Sequence, residues 1–169
     1  MSRIERCFLH IVLYRTEENQ CVLSPAHLVR IETRQLEGRQ VLKILVVDDH
    51  ELLRKQICSL LESHPEFEVV CEASNGLEAV RHAGDLQPDV VILDITMPVL
   101  GGIEAAVRIR GVAPKARLIF LSQYNSSSIA QTALATGALA YVVKSAVSTD
   151  LIPAVQSVVE GKTFLSKLD

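Results

Sequence analysis

Residues 41–73 read VLKILVVDDHELLRKQICSLLESHPEFEVVCEA, and the order of patterns within this stretch decides the fold. Leu42–Val47 is a short run of aliphatic and β-branched residues, the composition of a strand covered on both faces. Leu53, Ile57, Leu60 and Leu61 then recur at helical spacing on one face. That helix must end before Pro65, which cannot continue it. A second apolar run follows at Glu68–Cys71. Strand, amphipathic helix and strand in this order form a βα unit of a parallel sheet.

The same alternation continues to the end of the chain. Further strands are expected at Val90–Leu93, Arg117–Leu121 and Ala140–Val143, with helices at Gly76–Leu86, Gly102–Arg110, Ser127–Thr136 and Thr149–Glu160. Pro88, Gly111 with Pro114, Gly137 and Gly161 punctuate the ends. Five strands and five helices thus account for about Val41 to Thr163, an α/β domain placed at 41–166, with 167–169 as a C-terminal end. Residues 1–40 lack the alternation. They hold a short apolar run, a polar turn at Thr16–Gln20 and a weakly periodic stretch ending at Gly38, a pattern that fits a small hairpin, a helix or a leader from an upstream start site.

The chain's 169 residues suit one domain with an appendage. With 49% of residues hydrophobic and only 4% aromatic, its core is built from Val, Leu, Ile and Ala. A net charge of −3 supplies no basic footprint, so direct nucleic-acid binding is not expected. Cys7, Cys21, Cys58 and Cys71 include no CxxC pair and read as reduced, mostly buried thiols. The apolar run Phe8–Tyr14 is interrupted by His10 and is too short for a membrane span, so the expected location is cytoplasmic.

In an open parallel sheet, ligands bind beyond the carboxyl ends of the strands. There the sequence puts Asp48 and Asp49 after the first strand, Asp94 after the third, Ser122 after the fourth and Lys144 after the fifth. Singly, each has an ordinary explanation: a helix cap, a loop hydrogen bond, a solvated cation. Jointly they are harder to dismiss, because three convergent carboxylates repel one another unless a cation compensates. Mg²⁺ suits an all-oxygen site that also meets phosphate, whereas zinc lacks its usual His or Cys ligands here. Asp94 is then the oxygen nucleophile toward an activated phosphoryl group, with Lys144 neutralising charge and Ser122 donating a hydrogen bond.

Val46-Val47-Asp48-Asp49-His50, Leu93-Asp94-Ile95-Thr96-Met97-Pro98 with Gly101-Gly102, Leu121-Ser122, and Gly137-Ala138 leading to Tyr141 and Lys144 resemble the bacterial response-regulator receiver, in its NarL/FixJ-type branch. The resemblance covers about Leu42 to Ser166. It implies a flavodoxin-like (βα)5 three-layer sandwich of strand order 2-1-3-4-5. It further implies phosphorylation of Asp94 by a sensor histidine kinase or phosphotransfer protein, and a phosphorylation-driven conformational switch in two-component signalling. By the same resemblance Asp49 binds Mg²⁺ directly, Asp48 through water, and the Thr96 carbonyl completes the protein's ligands. Ser122 and Tyr141 are the matching switch residues. Such a protein is no enzyme toward an outside substrate, since it catalyses only its own modification and its reversal.

Two departures stand out. Ala140 occupies a position where this branch often has Gly, and Ser145 follows Lys144 where many receivers have Pro, which leaves the isomer of that peptide bond open. Relatives of this branch usually continue into a DNA-binding helix-turn-helix, whereas this chain reaches Asp169. The expectation is a stand-alone receiver working through protein contacts, as homodimer or with an effector, across about 127–160; the alternative is a truncated NarL-type transcription regulator whose DNA-binding domain is absent. An aspartate-nucleophile phosphohydrolase would need an acid two residues after its nucleophile, but those positions hold His50 and Thr96. A flavin module is disfavoured because Asp48-Asp49 would repel a phosphate. A degenerate scaffold is disfavoured because each of the five side chains is present.

Overall fold

Ile44, Leu45, Val46 and Val47 are all fully buried, as befits a central strand with helices over both of its faces. The computed structural model describes residues 41–168. In chain order these form β1 (Leu42–Val47), α1 (Glu51–Glu62), β2 (Phe67–Ala73), α2 (Gly76–Leu86), β3 (Val90–Asp94), α3 (Gly102–Val112), β4 (Arg117–Ser122), α4 (Ser127–Ala135), β5 (Ala140–Val143), α5 (Val147–Val159) and β6 (Phe164–Leu165). The sheet order is β2-β1-β3-β4-β5-β6, and every pairing is parallel. This is the three-layer flavodoxin-like architecture expected from the sequence.

Alternation along β1 divides the core. Leu45 and Val47 pack with Ala79 and Ala83 of α2, Ala105, Ala106 and Ile109 of α3, and Ala130 and Ala133 of α4. Ile44 and Val46 face Ile57, Cys58 and Leu61 of α1 and Leu151, Val155 and Val158 of α5. The alanine-lined side lets α2 and α3 approach closely, and Gly102 carries this to its limit. A Cβ there would overlap the carbonyl of Asp94, so the start of α3 presses on the end of β3.

The expected five-strand sheet is extended by β6. After α5, Gly161 adopts a φ of 77° and turns the chain back toward β5. Phe164 N–H then donates to the Leu139 carbonyl at 2.9 Å, and Ser166 N–H to that of Tyr141 at 3.0 Å. Buried Ser166 tightens the junction, its Oγ donating to Asp150 at 2.5 Å and accepting from Val143 N–H at 3.2 Å. Two ladder residues are too few to produce a readable period.

Other boundaries moved by small amounts. Strand β2 extends beyond Glu68–Cys71 at both ends, α3 runs through Gly111 to Val112, and α5 starts at Val147 instead of Thr149. Cys58 is buried and Cys71 half-buried, while Cys7, Cys21, the run Phe8–Tyr14 and the whole of 1–40 lie outside the described residues. The Lys144–Ser145 bond is trans. Among the described residues, no helix is long and apolar enough to cross a membrane.

Candidate functional site

The carboxyl ends of β1 and β3 bring Asp48, Asp49 and Asp94 together, with a carboxylate oxygen of each lying within 4.8 Å of the others. Asp48 is fully buried and Asp94 is 2% exposed, whereas Asp49 faces solvent. Lys144, immediately after β5, reaches across to them. Its Nζ stands 2.8 Å from Asp48 Oδ2 and 2.8 Å from Asp94 Oδ2. Residues almost a hundred positions apart in the chain thus meet at one edge of the sheet.

Local hydrogen bonds set the rotamers. Asp48 Oδ1 accepts from His50 N–H at 2.8 Å, and Asp94 Oδ1 from Thr96 N–H at 3.2 Å. His50 also caps α1, its Nδ1 accepting from Leu53 N–H at 3.2 Å. The second oxygens of Asp48 and Asp94 are left to the ammonium. Lys144 donates an aligned hydrogen bond to Asp94 Oδ2, but its contact with Asp48 Oδ2 is an ion pair without that alignment, so this buried oxygen retains acceptor capacity.

Burial pushes the Asp94 carboxyl above its ordinary value, the charge of Asp48 adding to the rise while Lys144 and the Thr96 amide oppose it. For Lys144, burial works to lower the pKa, yet the two carboxylates outweigh it and the ammonium is held above its usual range. Asp94 is therefore a desolvated carboxyl group whose burial is offset in part by a cation that can be shared. An exclusively oxygen donor set with an under-satisfied buried carboxylate fits a hard divalent cation such as Mg²⁺.

A cleft of about 660 Å³ opens here, with Asp49, Asp94, Thr96 and Lys144 among the residues that line it. Ser122 ends β4 beside the strand of Asp94 and is 1% exposed; its Oγ accepts from Tyr124 N–H at 3.1 Å. Tyr141 is fully buried and its hydroxyl donates to the Tyr124 carbonyl at 2.7 Å. Ser122 and Tyr141 are thus tied to one loop residue. Neither lines the cleft, unlike Asp49, Asp94, Thr96 and Lys144.

Sequence reasoning missed Arg54. Its Nη1 donates to the Asp48 carbonyl at 2.7 Å and its Nε to Glu72 at 2.9 Å. The signal was available: helical side chains lean toward the N-terminus, so a long cation in the first turn of α1 reaches back to the strand end.

The response regulator receiver domain family matches residues 44–156. The nitrate/nitrite response regulator NarL of Escherichia coli K12 is 33% identical over 132 residues, 78% of this chain and 61% of that protein. A LuxR-family two-component response regulator from Aurantimonas sp. SI85-9A1 superposes with a TM-score of 0.71 at 35% identity, covering 75% of this chain and 90% of that one. A chain of the CheX–CheY–BeF3–Mg²⁺ complex from Borrelia burgdorferi gives 0.62 at 30% identity, covering 71% and 88%. The chain spans somewhat over half the length of the curated regulators it matches.

Proposed function

The chain belongs to the response regulator receiver family of two-component signalling, and we propose on that basis that it accepts a phosphoryl group on Asp94 from a phosphohistidine donor. The observation that carries this reading is Asp94 itself: a carboxylate 2% exposed, its Oδ2 held 2.8 Å from Lys144 Nζ, with two further carboxylates alongside. An Asp94 oxygen attacks phosphorus, the phosphorus–nitrogen bond breaks, and the bonding pair leaves with the imidazole, giving an acyl phosphate. No outside substrate is turned over.

Asp48, Asp49 and Asp94, with the Thr96 carbonyl, would hold Mg²⁺, which when bound supplies positive charge to the phosphoryl oxygens. Support comes from the oxygen-only donor set and from the Mg²⁺ and BeF3 named with the CheX–CheY complex. Lys144 stabilises negative charge on the transferring group, preorganised by its two ion pairs. The Ser122 hydroxyl donates no hydrogen bond among the described residues, and it ends β4, the strand that pairs with the strand of Asp94, so it is the hydroxyl to donate to a phosphoryl group there. Its movement toward that group would disturb the Tyr124 loop and with it the Tyr141 hydroxyl, coupling modification to the surface at about 127–160, where a second copy or an effector docks. The donor is a sensor histidine kinase or phosphotransfer protein, and the compartment is the cytoplasm.

Incubation with a small acyl phosphate and Mg²⁺ tests the reading. Intact-mass measurement should show the gain of one phosphoryl group, absent without metal and absent in Asp94→Asn. A gain retained in that variant would contradict the assignment.

A further inference from the structure

Asp49 differs from the other two acids in having nothing of its own to hold it. Among the described residues its carboxylate makes no hydrogen bond and no ion pair, and it faces solvent. Its position therefore follows from the backbone at 48–50. On the β3 side the ladder stops at the pair Val47 and Leu93, so sheet pairing does not continue through Asp48 there. What fixes this corner is a set of bonds: Asp48 N–H to the Ala73 carbonyl at 3.2 Å, His50 N–H to Asp48 Oδ1 at 2.8 Å, and Arg54 Nη1 to the Asp48 carbonyl at 2.7 Å.

The last of these orients the peptide plane that leads into Asp49. Arg54 is suited to the task because its fork is itself fixed, with Nε on Glu72 of β2 and a side chain only 14% exposed. One guanidinium thereby joins the end of β1, the first turn of α1 and the edge of β2. The geometry points to Arg54 as a positioning residue for the divalent cation: through the Asp48 carbonyl it holds Asp49 where its carboxylate joins those of Asp48 and Asp94. This inference rests on the reading of the three acids as the Mg²⁺ site and deepens it.

The sign of one substitution separates positioning from charge. Arg54→Met removes a cation from beside three carboxylates, which by Coulomb's law alone would tighten the binding of another cation. Loss of positioning does the reverse, and removal of an outer partner typically weakens metal affinity by roughly 10–100-fold. Calorimetric titration with MgCl₂ alone should therefore give weaker binding in Arg54→Met by about that factor. In acyl-phosphate labelling, the Mg²⁺ concentration for half-maximal rate should rise by a similar factor, while the rate at saturating Mg²⁺ falls far less. Arg54→Lys keeps the charge but cannot reproduce the fork, so it should also bind Mg²⁺ more weakly, and it stands in should the methionine variant fail to fold by circular dichroism. Wild-type binding that is lost in Asp49→Asn yet unchanged or tighter in the folded Arg54 variants overturns this inference alone. Absence of Mg²⁺ binding by the wild type, or full affinity in Asp49→Asn, overturns the reading of the acidic site and the inference with it.

Discussion

Asp89 and Asp94 bracket the same strand, and their surroundings are opposite in kind. At the start of β3, the Asp89 carboxylate accepts from Lys43 N–H at 2.9 Å, its own N–H donates to the Lys43 carbonyl at 2.9 Å, and its carbonyl accepts from Arg117 N–H at 2.9 Å. Every one of these partners is backbone, and the acid is consumed in fastening three strands together. At the far end Asp94 is almost wholly desolvated, receives one backbone N–H, and owes its second oxygen to a lysine that it shares with Asp48. An acid serving the fold is satisfied by groups that cannot leave. Asp94 is instead satisfied by a cation that an incoming group could share.

Replacing Lys144 attacks the second arrangement and should have the largest effect. Lys144→Met removes the charge that faces both buried carboxylates, and loss of one preorganised electrostatic contact typically costs about 10²–10³ in rate. Acyl-phosphate labelling at saturating Mg²⁺ should slow by that order. Without metal the variant should also unfold at lower temperature than the wild type, since uncompensated buried charge is costly, and Mg²⁺ should restore more of its stability than it adds to the wild type.

At the other end, Asp89→Ala should leave labelling unchanged and lower stability by about 1 kcal/mol, the worth of one hydrogen bond left unmade at a half-exposed site. Denaturant titration would measure it. A labelling defect in this variant would break the division between the two ends of β3.

The smallest effect concerns Asp94 in the resting protein. Its pKa is raised in the fold, chiefly by burial, so the folded chain holds this proton more tightly than the unfolded one. Stability tied to the protonated form is present at low pH and is lost as pH climbs through the folded pKa, which makes the ionised carboxylate a net cost at neutral pH. Lys144, also raised, keeps its contribution until the pH rises into the alkaline range. In metal-free buffer at neutral pH, Asp94→Asn should therefore unfold at a slightly higher temperature than the wild type, with the difference shrinking as pH falls. A lower melting temperature at neutral pH would mean that the ion pair with Lys144 outweighs desolvation.

How much of this was legible in the sequence differs between the centre of the sheet and its margins. β1, β3 and β4 read clearly because both of their faces are covered, so Ile44–Val47, Val90–Leu93 and Leu118–Leu121 appear as unbroken apolar runs. Polar residues interrupt such runs at their carboxyl ends, which is why Asp48, Asp94, Ser122 and Lys144 could be picked out as candidates; the structure brings Asp48, Asp94 and Lys144 together, whereas Ser122 does not line the cleft. β6 could not, because Phe164 and Leu165 pair through backbone groups and depend on the turn at Gly161. Arg54 went unrecognised because cations on helices are common, and the lean of helical side chains toward the N-terminus, which carries it back to the Asp48 carbonyl, is a weaker signal than a polar break in an apolar run.

Trapping the modified chain identifies the acceptor carboxylate chemically. An acyl phosphate on a carboxylate is reduced by borohydride to an alcohol, so treating the acyl-phosphate-labelled, denatured protein should convert Asp94 to homoserine, read by peptide mass spectrometry. Homoserine is expected at position 94, with Asp48, Asp49 and Asp89 unchanged. Homoserine at any of those three positions, with Asp94 intact, would contradict it.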